Sequence, residues 1–113
     1  MASSPSLSAR VRDALKRQRG IEEKRMFGGD AFLLDGNLLV AIWNDSLIAR
    51  LGIDQASAAL QQPHVGPMDI TGKPMRGWVI VESEGLDEDA DLQTWINLAI
   101  HFVKTLEPKK KHG

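Results

Sequence analysis

Three apolar segments, residues 31–34, 38–43 and 47–51, follow one another with only three residues between each pair. Connections that short join antiparallel neighbours, because a parallel crossover needs about a dozen residues or more. The first gap, Asp35-Gly36-Asn37, has the chemistry of a tight turn. Asn44-Asp45 marks the second. Ile21 to Met26 alternates loosely ahead of them and reads as a further short strand. The centre of the chain is therefore an antiparallel meander of three or four strands.

Helices flank this meander. Pro5 after Ser4 suits a helix start, and Leu7, Val11, Ala14 and Leu15 form one stripe ending before Gly20, which predicts a helix over about 5–19. Asp54 is placed to cap a short helix running through Ala56, Ala58, Ala59 and Leu60. Residues 68–70 read as a brief strand, 71–74 as a turn, and 77–82 as a strand rich in β-branched residues. An acidic stretch then opens the last helix. There Leu92, Trp95, Ile96, Ala99, Phe102, Val103 and Leu106 all fall on one stripe, and Pro108 ends it. Strands grouped together with helices at the two ends predict an α+β fold, a two-layer sandwich with an antiparallel β-sheet and N- and C-terminal helices.

The 113 residues suit one domain over 1–108, followed by a basic tail at 109–113. There is no cysteine, which excludes thiol nucleophiles, disulfides and iron–sulfur clusters. No apolar run approaches the roughly 20 residues of a membrane span, and the N-terminus has no apolar signal core, so a cytoplasmic protein with no membrane contact is expected. Net charge is −1, but residues 1–25 carry seven basic side chains against three acidic ones. Arg10, Arg12, Arg17 and Arg19 on the first helix are the candidates for direct DNA binding, with a solvated helix face as the plainer explanation.

No motif names a reaction. Gly28-Gly29 is not followed by a helix start or a Gly-Lys-Ser/Thr, so a bend in the chain explains it better than a phosphate loop. His64, His101 and His112 have no metal-ligand spacing, and neither a metal nor a cofactor is expected. No serine has a nucleophile-elbow setting, so no catalytic residue is assigned. Asp69 is an isolated acid near Lys73 and Arg76, which suggests an ion pair within the loop. Met26, Phe27, Met68, Met75 and Trp78 flank turns, where they line either a groove or the edge of the core.

Several of these residues carry a resemblance. Arg25-Met26-Phe27-Gly28-Gly29, Phe32, Asp35-Gly36 and Leu47-Ile48-Ala49-Arg50, then Pro67-Met68-Asp69, Gly72-Lys73-Pro74-Met75, Gly77-Trp78 and a closing helix with Leu92, Trp95 and Phe102, resemble the N-terminal domain of the TfoX/Sxy family over about 8–108. The resemblance implies a secretion-chaperone-like sandwich in which Phe27 anchors its strand and Gly28 and Gly29 are structural. It places Arg50 at the end of the third strand, facing either Asp69 in an internal ion pair or an anionic ligand. Longer bacterial relatives carry a second, helical domain and act in natural competence as co-activators beside a cyclic-AMP receptor protein. Two readings follow. One is a non-enzymatic accessory or regulatory domain with a protein partner, such as a transcription regulator, or a second copy in a homodimer. The other is a small anionic-ligand-binding protein or enzyme whose pocket is formed by Arg50, Asp69, Lys73, Met75, Arg76 and Trp78.

Overall fold

The computed structural model describes residues 6–26, 28–69, 72, 73 and 75–108. Ser4, Pro5 and the tail at 109–113 lie outside them. The elements run α1 (Leu7–Ala14), β1 (Ile21–Met26), β2 (Gly29–Leu34), β3 (Asn37–Trp43), β4 (Ser46–Arg50), α2 (Ile53–Ala59), β5 (Val65–Pro67), β6 (Trp78–Val81) and α3 (Asp89–Val103). All six strands join one sheet in the order β1-β2-β3-β4-β6-β5, and every neighbouring pair is antiparallel. The expected α+β arrangement is the observed one.

The meander follows from its turns. Asp35 (φ 53°) and Gly36 (φ 84°) both take the left-handed conformation between the paired residues Leu34 and Asn37. Two positive φ values in a two-residue loop match the right-handed twist of the flanking strands. The β2–β3 register slips between Phe32 and Leu33, where Val40 and Leu38 are the partners and Leu39 is left over. This bulge puts both Leu39 and Val40 into the same side of the core.

Helices α1 and α3 cover one face of the sheet. Phe32, Leu34, Leu39, Val40, Leu47, Ala49, Val79 and Val81 meet Val11, Leu92, Trp95, Ile96, Ala99 and Val103 in one cluster. Helix α3 has no side-chain cap at Glu88. Acids in its first turn add about 0.3–1 kcal/mol through the dipole, whereas each buried large apolar side chain adds about 1.5–3 kcal/mol. Burial of the stripe therefore positions the helix.

Several expected boundaries move. Helix α1 is capped by the Ser6 side chain, which accepts from Ala9 N at 3.1 Å, and it stops at Ala14. Arg17 and Arg19 fall in the turns beyond it. Helix α2 starts at Ile53 with Gly52 as its cap, because the Gly52 carbonyl accepts the first helical bond, from Ala56 N. Asp54 sits in the first turn rather than at the cap. The acidic stretch first makes a 3-10 turn, Ser83–Leu86, and α3 opens only at Asp89. The brief strand expected at 68–70 lies instead at Val65–Pro67, on the sheet edge, where Pro67 costs no interior ladder bond. Of the expected strand, Met68 is fully buried outside the sheet and Ile70 lies outside the described residues.

The two glycines after Met26 have different jobs. Gly28 (φ 77°) has open space around a would-be Cβ, so only its backbone conformation demands glycine. At Gly29 a Cβ would run into the Ile42 carbonyl oxygen on β3. The structural role expected for the pair rests on these two causes; Phe27 lies outside the described residues. Gly28→Ala should cost about 1–2 kcal/mol, the strain of a left-handed alanine. Gly29→Ala should cost about 3 kcal/mol or more, because backbone has to shift to admit the methyl group. Thermal unfolding of both variants checks the order.

Candidate functional site

Among the described residues no helix packs on the second face of the sheet. Ala31, Ala41 and Ile48 point to it and bury Met68, with Met26, Leu38, Met75, Trp78 and Ile80 half-buried around them. Met68 and Met75, from the chain between β5 and β6, cover part of this face. That chain is closed by Met75 N donating to Met68 O at 2.9 Å and Gly72 N donating to Asp69 O at 2.9 Å. Alternation along β3 sets Trp43, an exposed side chain, on the same side as Ala41.

Arg50 ends β4, the fourth strand rather than the third, and shares this helix-free face. Its register partner is Trp78 on β6, and its guanidinium carbon stands 5.2 Å from the centroid of the indole ring. Such a contact contributes about 0.5–1 kcal/mol. One guanidinium nitrogen also donates a long bond of 3.4 Å to Leu38 O. The expected ion pair with Asp69 is not made: among the described residues no carboxylate lies within 4.0 Å of Arg50. Burial alone pushes its pKa below the ordinary arginine value, with no acid opposing that shift.

Beside Arg50 the chain turns from β4 into α2. Leu51 N and Gly52 N both donate to Gly77 O, at 2.8 and 3.0 Å, and hold the β6 entry against this corner. A hollow of about 510 Å³ opens there, lined by Arg50, Ile53, Asp54, Arg76, Trp78 and Phe102 together with Gly52 and Gly77. Of the residues assigned to a pocket from sequence, the fold brings Arg50, Arg76 and Trp78 together. Met75 packs instead with the second core cluster, and Asp69 and Lys73 are exposed and do not line the hollow. Ile53, Asp54 and Phe102 are lining residues that sequence reasoning missed. Phe102 had a visible signal as an aromatic member of the last helical stripe.

Two other places merit comparison. A larger hollow of about 650 Å³ lies between α1 and the start of α3, lined in part by Arg10, Asp13, Asp87, Asp89 and Leu92. Its guanidinium is already satisfied, donating to Leu86 O at 2.6 Å and to Asp89 at 3.1 Å. The hollow at Arg50 is therefore the stronger site. His64, Glu82 and Glu84 bring ligand atoms within 4.8 Å of one another, but all three are exposed. The cross-strand pairing of Val65 with Val81 is enough to bring His64 and Glu82 together. Sequence spacing had not joined them.

The basic first helix is largely engaged. Arg12 donates to both Glu23 carboxylate oxygens, at 2.8 and 2.9 Å. Arg10 is held as above, and Arg17 and Arg19 stay exposed beyond the helix. The four arginines assigned to DNA thus form no single helical face. The Arg12 hydrogen bond holds Glu23 below the ordinary carboxyl range. A Ser8 hydrogen bond, then Arg25, does the same for Asp30. A carboxyl lowered by folding stabilises the fold fully above its unfolded value and loses that contribution as pH falls through the folded value. The ties between α1 and the β1–β2 hairpin therefore hold above about pH 5 and weaken progressively below about pH 4. Arg12→Gln should lower Tm modestly at pH 7, since the pair is solvent-screened, and the gap from wild type should close towards pH 3. Thermal unfolding at both pH values reads this, and an unchanged gap would show that the pair is not its cause.

The architecture agrees with the resemblance drawn from sequence, and a family-level comparison is decisive. The TfoX N-terminal domain model matches residues 13–103 of the 113-residue chain. Neither a curated protein nor a solved structure gives a significant match. The match spans the four-stranded meander, the Arg50 corner and helix α3, and the chain belongs to the TfoX N-terminal domain family.

Proposed function

We propose that this domain is a non-enzymatic accessory or regulatory module that acts by binding another macromolecule. The observation that carries the reading is the helix-free sheet face, where Trp78, Met75, Leu38 and Arg50 gather and Trp43 stands exposed at the other end of the strands. Tryptophan, methionine and arginine are the side chains enriched in protein interfaces. A two-layer sandwich that leaves such a face only partly covered has a ready surface for a third layer. The partner in this reading is a protein, and the family resemblance points to a transcription regulator. No helix is long and apolar enough to cross a membrane among the described residues.

The test uses the full chain as bait in native cell extract, with a photo-crosslinking residue in place of Trp43. One protein should crosslink. Its retention should fall at least about tenfold with Trp43→Asp, the loss expected for an interface aromatic. Leu60→Asp, at the exposed residue that ends α2, should leave retention unchanged. Retention indifferent to Trp43→Asp would remove the reading. So would capture of nucleic acid alone, or steady-state turnover of a defined substrate that disappears with Arg50→Ala.

A further inference from the structure

We propose that the hollow at the corner between β4 and α2 binds a small organic anion, its carboxylate or phosphate head held by Arg50 and Arg76 and its apolar body laid against Trp78, Ile53 and Phe102. The inference stands on this hollow alone and survives if the macromolecular reading fails.

Charge is the first argument. Arg50 is half-buried, yet neither it nor Arg76 has a carboxylate within 4.0 Å among the described residues. A guanidinium has five N–H donors in a fixed fork. Among the described residues Arg50 uses one, in a long bond to Leu38 O, and its guanidinium carbon stands over an indole ring. A cation partly withdrawn from water without a counter-anion carries a desolvation cost. A carboxylate or phosphate accepting two parallel bonds removes that cost and adds charge-assisted hydrogen bonds. Two guanidiniums against the single Asp54 carboxylate leave the lining with one net positive charge, which favours an anion.

Shape and polarity then narrow the class. The hollow, about 510 Å³, lies within the roughly 300–1,000 Å³ of small-molecule sites. Its walls are apolar, with Trp78 and Phe102 as ring surfaces and Ile53 left 54% exposed at the corner. Phe102 stands directly against Gly52, so this wall is fixed by backbone contact. The Leu51 and Gly52 amides are already spent on Gly77 O, and the cationic groups of the lining are the two arginine side chains. A bare inorganic ion would leave the rings and Ile53 unused. An anion carrying an apolar body uses the whole lining.

The test titrates the full chain with benzoate, phenyl phosphate, inorganic phosphate and neutral benzamide, following the Trp78 indole N–H by NMR. Benzoate or phenyl phosphate should shift that signal saturably, and the tighter of the two identifies the head group. Benzamide should bind at least about tenfold more weakly, as should benzoate or phenyl phosphate to Arg50→Gln and Arg76→Gln. Arg76 is exposed, so its variant tests the charge even if Arg50→Gln fails to fold. No saturable shift with either organic anion would overturn the proposal. So would benzamide binding as tightly as benzoate, inorganic phosphate binding as tightly as phenyl phosphate, or affinity unchanged in the arginine variants.

Discussion

Strands β3 and β4 lie at the centre of the sheet and bury apolar side chains on both faces. Leu39, Val40, Leu47 and Ala49 face the helices, while Ala41 and Ile48 face the other way. A sheet of this kind needs cover twice, because each unburied large apolar side chain forfeits about 1.5–3 kcal/mol. The two covers are made differently. Helix α3 shields one face with five buried residues along a continuous stripe. On the other, Met68 is the fully buried side chain among the described residues of the short strap between β5 and β6.

That asymmetry leaves the second face only partly covered. Among the described residues the strap buries Met68 where α3 buries five side chains, so Trp43, Leu38 and Ile80 keep partial exposure, and Arg50 has a ring rather than an acid as its neighbour. The same geometry opens the corner. Gly77 leads from the strap into β6, and its carbonyl takes the amides of Leu51 and Gly52. The end of β4, the start of α2 and the last turn of α3 then meet around one hollow. The proposed partner surface and the proposed anion site are thus neighbouring consequences of how the second face is covered.

The N-terminal segment shows the opposite economy. Its arginines stitch α1 to the rest of the molecule, Arg12 to the β1–β2 hairpin and Arg10 to the turn before α3. The positive charge of residues 1–25 is therefore partly consumed in holding an amphipathic helix of only eight residues in place. A helix that short is marginal by itself and depends on its tertiary contacts.

Local chemistry in the sequence determined a good deal about this protein. The turn at Asp35-Gly36, the short gaps and the α3 stripe specify an antiparallel meander backed by a C-terminal helix, because tight turns and a 3.6-residue period act over a few residues. The M-F-G-G stretch and its companions were enough to identify the family. Tertiary structure alone decided the rest. The Leu39 bulge is invisible in a run that is apolar throughout, since no alternation marks which residue is extra. The docking of β6 against β4, the turn of the Met68 strap over the second face, and the end of α1 at Ala14 rather than near Gly20 depend on contacts between distant segments. The site has the same origin. Arg50, Arg76 and Trp78 were legible as an arginine-and-aromatic group, but Ile53, Asp54 and Phe102 joined them only when β4, α2, β6 and α3 met at one corner. Periodicity records which face a residue takes within its own element and carries no information about which element lies opposite.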